Sequence, residues 1–158
     1  MSGDYLARGS CLCGAVTFEL TERPTVAGYC HCTRCQKRTG TAAGASVWVN
    51  PDAFRWTSGE ELIAGWRHPD GGGRKMFCSA CGGHLASANP DVAGNMSVRM
   101  AAFDDDPGVE LSYHQYVADA ASWEPIPDDG LTRFDGPRHP RPGRSQVRPG
   151  SASRRRAQ

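Results

Sequence analysis

The chain has 158 residues, of which 39% are hydrophobic, and its formal net charge at pH 7 is +1. This length predicts one domain with a modest core. No apolar run is long enough to cross a bilayer and the N-terminal residues lack the apolar segment of a signal peptide, so we expect no membrane association and a cytoplasmic location.

The predicted strands are short and lie in the first 120 residues. Apolar and polar residues alternate in seven stretches, which turn residues separate. The stretches are AVTFEL (15–20), ASVWV (45–49), ELIAGW (61–66), RKMFC (74–78), HLASA (84–88), NMSVRM (95–100) and LSYHQYV (111–117). One short helix is predicted after Cys32, with Gly40 as its stop signal. We therefore predict a mainly β fold made of short antiparallel sheets.

The C-terminal part of the chain differs from the rest in charge and composition. Seven arginines lie between Gly136 and the end, without an acidic residue, whereas residues 1–135 carry 11 basic and 17 acidic side chains. The end is also rich in Pro, Gly and Ser. Such a segment buries too little surface to offset its ordering entropy. We predict a domain over residues 5–136 and a disordered tail over residues 137–158.

Seven cysteines are the most informative feature of the sequence. An odd count in a chain expected to be cytoplasmic argues against a disulfide framework, because thiols there are kept reduced, and favours metal ligation or redox chemistry. The cysteines form three clusters, which are the CxC of Cys11 and Cys13, the CxCxxC of Cys30, Cys32 and Cys35, and the CxxC of Cys78 and Cys81.

The coordination chemistry of zinc divides these clusters into two sites. A structural zinc takes four thiolates in a closed tetrahedron, and the CxC and CxxC pairs together supply four. The remaining cysteines, Cys30, Cys32 and Cys35, supply three ligands and leave a position for water or a substrate thiol, as in catalytic zinc sites. We therefore expect two zinc ions per chain, one structural and one catalytic.

Three basic residues lie within or just after the CxCxxC cluster. They are Arg34, Lys37 and Arg38. Their charges are predicted to offset the excess negative charge of three thiolates or to attract an anionic substrate.

Two other interpretations of the cysteines remain open at this point. A CxxC pair can be a redox dithiol, although neither motif lies in a βαβ pattern. The three-cysteine site can also be structural, with His31, His84 or His114 as its fourth ligand. A histidine between two ligand cysteines more often supports the ligands or faces solvent, and this is the expectation for His31.

These motifs resemble those of the glutathione-dependent formaldehyde-activating enzyme family, which also includes centromere protein V-like domains. The resemblance lies in GSCLCGAVTFEL, YCHCTRCQKRTGTAAGASVWV and FCSACGGHLAS, and extends to a later stretch with Tyr113, His114, Trp123, Asp128 and Asp129. It covers roughly residues 8–135.

The resemblance implies a β-tent fold pinned by zinc. It implies a structural zinc on the CxC and CxxC cysteines and a more labile zinc on Cys30, Cys32 and Cys35. The implied reaction joins glutathione and formaldehyde to give S-hydroxymethylglutathione. Glutathione and a small aldehyde are accordingly the implied partners.

Three functions follow as hypotheses. The first is a zinc-dependent carbon–sulfur lyase-type enzyme. The second is a zinc-stabilised module that binds glutathione or another thiol without catalysis. The third is an interaction domain that reaches nucleic acid or a protein through the arginine-rich tail, although we expect that tail to be a solvated end and nucleic acid not to be a partner.

Overall fold

The computed structural model describes residues 5–138, which form eleven strands and one α-helix. The elements are β1 (Ala7–Ser10), β2 (Thr17–Leu20), β3 (Val26–Cys30), α1 (Thr33–Thr39), β4 (Gly44–Val49), β5 (Phe54–Ser58), β6 (Ile63–Trp66), β7 (Arg74–Cys78), β8 (His84–Ala88), β9 (Met96–Arg99), β10 (Leu111–Gln115) and β11 (Thr132–Phe134). The prediction of a mainly β fold is confirmed. Within residues 5–138 no helix is long and apolar enough to cross a membrane.

The strands form two sheets. The smaller has the order β1-β2-β5, and the larger has the order β11-β10-β3-β4-β9-β8-β7-β6. Most neighbours are antiparallel, as predicted, but β10 runs parallel to both β3 and β11. This parallel insertion places Gln115 opposite Cys30 and His114 opposite Tyr29, so a late segment of the chain lies beside the second cysteine cluster.

One hydrophobic core contains residues of both sheets. Phe18 of β2 is 1% exposed and belongs to the same cluster as Val47 of β4 and Leu85 of β8. Its ring stacks on Phe54 and meets Phe103 edge to face, with a centroid distance of 5.2 Å in each case. Burying a side chain of this size contributes roughly 1.5–3 kcal/mol. The core therefore holds the smaller sheet, and the N-terminal cysteine pair that follows β1, against the larger one.

The single helix begins and ends as the sequence predicts. Cys32 is its N-cap, and Cys32 Sγ accepts a hydrogen bond from the backbone N–H of Cys35 at 3.4 Å. Gly40 ends the helix with a φ of 68°, a left-handed conformation that favours glycine. A cysteine thus caps a helix that carries another cysteine in its first turn.

Candidate metal centres

The first site joins two segments that are far apart in the sequence. The Sγ atoms of Cys11, Cys13, Cys78 and Cys81, which we call the four-thiol site, lie within 4.8 Å of one another. A tetrahedral zinc with Zn–S bonds of about 2.3 Å needs S···S distances of about 3.8 Å. The Cys11–Cys13 and Cys13–Cys78 sulfur distances are 3.5 and 4.0 Å. The four thiols therefore fit one tetrahedral metal ion.

Backbone amides stabilise the negative charge of the four-thiol site. The N–H of Val16 donates to Cys11 Sγ at 3.3 Å. The N–H of Gly83 donates to Cys81 Sγ at 3.4 Å and lowers the pKa of that thiol to about 6. A Cβ at Gly83 would lie 2.9 Å from the backbone nitrogen of Leu12 and 3.3 Å from Cys81 Sγ. Glycine is needed here because the CxC and CxxC turns pack directly against each other.

The second site is built within six residues. Cys30 ends β3, Cys32 caps α1 and Cys35 lies in the first helical turn, and we call these the three-thiol site. Their sulfurs lie within 4.8 Å of one another, with 3.5 Å between those of Cys30 and Cys32. All three side chains are half-buried, and no histidine or carboxylate of residues 5–138 completes the group. The three thiols fit a metal ion that keeps one coordination position for another ligand.

Negative charge in the three-thiol site is concentrated on Cys35. Hydrogen bonds from Cys30 and Cys32 hold the pKa of the Cys35 thiol well below its ordinary value, and the charges of Arg99 and Lys75 lower it further. The same sharing of protons raises the pKa of Cys30. The charges of Arg99 and Lys75 therefore favour the thiolate form of Cys35.

The three basic residues predicted to serve the site lie in different places. Arg38 is half-buried and donates to the carbonyls of Met76 and Ala86, and burial followed by repulsion from Arg99 lowers its pKa to about 10. It shares a helix face with Cys35 because they are three residues apart.

The other two basic residues of the helix face elsewhere. Arg34 forms an ion pair with Asp70 at 3.2 Å and donates to the carbonyl of Gly71. Lys37 is exposed.

Two cations that the sequence analysis missed come from neighbouring strands. Arg99 of β9 is 9% exposed and donates to Ser46 Oγ at 3.0 Å. Lys75 of β7 donates to Ser87 Oγ at 2.9 Å, and its pKa is lowered by burial and by the nearby guanidiniums. We call Arg38, Lys75 and Arg99 the cation cluster. In the sequence, Lys75 and Arg99 are each only a basic residue within a predicted strand, and this pattern does not show which side chains it will contact.

A chain of buried histidines supports the loop between Cys30 and Cys32. His31 Nε2 lies 2.9 Å from His114 Nδ1, and His114 Nε2 lies 3.0 Å from Asp129 Oδ2. The carboxylate of Asp129 accepts from His114 Nε2–H, and the other ring nitrogen of His114 shares a hydrogen bond with His31 Nε2. His31 is therefore buried between Cys30 and Cys32 and does not face solvent. Its connection to His114 and Asp129 was not predicted, since 83 and 15 residues separate the bonded pairs.

An open cleft of about 750 Å³ extends from the four-thiol site to two members of the cation cluster, and none of the three-thiol cysteines lines it. Cys11, Leu12 and Gly83 of the four-thiol region line one part of it. Arg38 and Arg99 of the cation cluster also line it, together with other residues that include His84. The cleft therefore gives a small molecule access to the guanidiniums that act on Cys35.

Comparison with known proteins agrees with this architecture. A crystal structure of a Rhodobacter sphaeroides protein, a structural genomics target, is similar in fold, with 22% identity, a TM-score of 0.50, and coverage of 80% of this chain and 98% of that chain. No curated protein matches the chain at a significant level. The family described as glutathione-dependent formaldehyde-activating enzyme matches residues 6–119, which contain all seven cysteines. The chain belongs to the glutathione-dependent formaldehyde-activating enzyme family.

Proposed function

We propose that this protein is a zinc-dependent enzyme of the carbon–sulfur lyase type that joins glutathione to formaldehyde and releases S-hydroxymethylglutathione. The observation that carries the proposal is the three-thiol site, which has three half-buried sulfurs, no fourth ligand from residues 5–138 and cations around it. The family description supports the two substrates.

Zinc suits both cysteine groups because soft thiolates in tetrahedral arrangement select it. A zinc ion held by three thiolates offers an acidic position at which a thiol loses its proton or an aldehyde oxygen is polarised. Seven free thiols also need a reducing compartment, for which the cytoplasm is suited.

The residues of the chain would divide the work in the following way. Cys30, Cys32 and Cys35 hold the ion, and the cation cluster offsets the negative charge of the sulfurs. Arg34 and Lys37 add a weaker, salt-screened attraction for an anionic substrate. In the reaction the thiolate sulfur forms a bond to the carbonyl carbon, the C=O double bond becomes a C–O single bond, and the thiol proton ends on oxygen. No electrons are exchanged with another molecule.

The direct test is magnetisation-exchange NMR on glutathione and formaldehyde at equilibrium with the adduct. We expect the zinc-loaded protein to increase the exchange rate above the uncatalysed rate, which is measured without protein and subtracted. Cys32→Ser is the matched variant and should return the rate to the background. A rate equal to the background with wild-type protein, together with bound glutathione, would instead identify a thiol-binding module without catalysis.

A further inference from the structure

The cation cluster carries more positive charge than the three-thiol site needs. A divalent ion with three thiolates has one net negative charge, and the guanidiniums of Arg38 and Arg99 alone outweigh it. Within residues 5–138 no carboxylate forms an ion pair with any member of the cluster, although Arg34, Arg55 and Arg67 all have acidic partners. Burying a charge without an oppositely charged partner is costly. Such charges are therefore typical of sites that receive a charged ligand.

The hydrogen bonds of the cluster are also incomplete. Arg38 Nη1 is buried and has no hydrogen-bond partner within the described chain. The other terminal nitrogen of Arg38 makes only long contacts, of 3.4 and 3.5 Å, to backbone carbonyls. Arg99, which is 9% exposed, donates to a single hydroxyl, that of Ser46. The two guanidiniums together retain several N–H donors, and a guanidinium fork matches the two oxygens of a carboxylate.

The backbone leaves room for these side chains beside the cleft. A Cβ at Gly44, the residue paired with Cys30 across β3 and β4, would lie 2.6 Å from Arg99 Nη1. Any larger residue would therefore displace the guanidinium. Arg38, Arg99 and Gly44 all line the cleft, whereas Asp104, an acidic residue that also lines it, accepts from the hydroxyl of Ser10 at 2.9 Å.

We propose that Arg38 and Arg99 form a carboxylate-binding site in the cleft, which holds the thiol substrate by one of its carboxylates. Lys75 strengthens the attraction without lining the cleft. The inference rests on the proposed function for the identity of the thiol substrate. The carboxylate site itself requires neither turnover nor a free thiol.

Two probes separate the carboxylate site from the metal. S-methylglutathione keeps both carboxylates but has no free thiol, and glutathione diethyl ester keeps the thiol but has no free carboxylate. We expect the zinc-loaded protein to bind S-methylglutathione by calorimetry, and Arg38→Gln and Arg99→Gln each to weaken that binding by about 10-fold or more, because each removes a charge-assisted fork. Binding of the diethyl ester should change by less than about 3-fold in the same variants.

The matched control is Arg74→Gln. Arg74 precedes Lys75 in β7, and its side chain lies on the opposite face of the strand from that of Lys75. The variant removes one positive charge, as the other two do, and it should change S-methylglutathione binding by less than about 2-fold. If Arg99→Gln does not fold, the proposal is tested with Arg38→Gln and Arg99→Lys. Arg99→Lys keeps the charge but loses the guanidinium fork, and this loss alone should weaken S-methylglutathione binding.

Zinc content must be followed in every titration. Equal binding of S-methylglutathione by the wild type and by both glutamine variants would overturn the proposal, as would no binding to the wild type at about 10 mM. Loss of zinc from the variants with unchanged S-methylglutathione affinity would also overturn it, because the cations would then serve only the metal. Arginine-dependent binding without any increase in the NMR exchange rate would leave the carboxylate site standing and refute the proposed enzyme.

Discussion

The four-thiol site and the three-thiol site place their sulfurs in different electrostatic surroundings. The N–H groups of Val16 and Gly83 point at sulfur in the four-thiol site, and its ligands come from turns 65 residues apart that meet through Cys13 and Cys78. In the three-thiol site the ligands are local, one backbone N–H, that of Cys35, donates to Cys32 Sγ, and the side chains of Arg99 and Lys75 add compensating charges.

The difference shows how two sites made of the same ligand can be suited to different roles. Backbone amides belong to the fold and cannot turn toward a substrate, so the four-thiol site is suited to holding the sheets together. Side-chain cations have remaining hydrogen-bond donors, and they can bind a ligand while they balance the thiolates. This distinction predicts different consequences for changes at the two sites.

The largest effect is expected from Cys78→Ser. Cys78 is fully buried, and zinc binding at a structural site is worth about 10–16 kcal/mol in small zinc domains, comparable to the whole stability of a domain. We expect the variant to lose its folded structure and both metal ions. Circular dichroism and elemental analysis would measure this loss.

Cys32→Ser is the control for that experiment. It removes a ligand from the three-thiol site but leaves a serine at the N-cap position, where serine is favoured, so the protein should remain folded with about one zinc ion. If Cys32→Ser unfolded the protein as completely as Cys78→Ser, both sites would be structural and the comparison would fail.

Graded metal removal should separate the sites in the unmodified protein. We expect about two zinc ions per freshly purified chain, and a chelator should remove the one at the three-thiol site first because it has three protein ligands rather than four. That step should leave circular dichroism unchanged and make the sulfurs of the three-thiol site open to alkylation. The second ion should leave only with unfolding. Simultaneous release of both ions would contradict the distinction.

His114→Leu tests the support behind the three-thiol site. His114 is 2% exposed, and its removal leaves the Nε2 atom of buried His31 without its hydrogen-bond partner. We expect the free energy of unfolding to fall by about 1–3 kcal/mol, and the first zinc to be lost at a lower chelator concentration. Thermal denaturation and chelator titration measure the two effects. The partly exposed His68, changed to leucine, should alter stability by less than about 0.5 kcal/mol and leave both zinc ions in place.

The smallest effect is expected from the C-terminal segment. Residues 139–158 of the predicted tail lie outside the described residues, and their composition predicts that deleting them changes stability by less than about 0.5 kcal/mol. Deletion from residue 137 should cost more, because the N–H of Arg138 donates to Gln115 Oε1 and its guanidinium lies 5.1 Å from the centre of the Tyr113 ring. Equal melting temperatures for the two deletions would show that the domain ends at Gly136, as the sequence predicts.

Sequence patterns predicted correctly those strands and the helix whose limits depend on residues within the element itself. Alternation located β7 and β8 with correct bounds, because their inward residues pack in one core. The helix limits followed from Cys32 and Gly40. The ELIAGW stretch was only partly right, since Glu60–Leu62 forms a 3-10 turn before β6. The strands β1, β3 and β11 were missed because glycine, small residues or brief length hide their alternation, whereas β5 was missed although Phe54, Arg55 and Trp56 alternate.

By itself, the sequence determined the division of the seven cysteines into a group of four and a group of three, each of which could hold a metal ion. Ligand type and spacing within a turn are local properties, and zinc accepts only a few combinations of them. Only the tertiary structure decided which charges surround the three-thiol site. Arg38 was within reach of prediction because helical spacing places it beside Cys35, but Lys75, Arg99 and Asp129 arrive on other strands and loops. Their positions depend on sheet order and on the parallel pairing of β10 with β3, which is a long-range property that no short stretch of residues encodes.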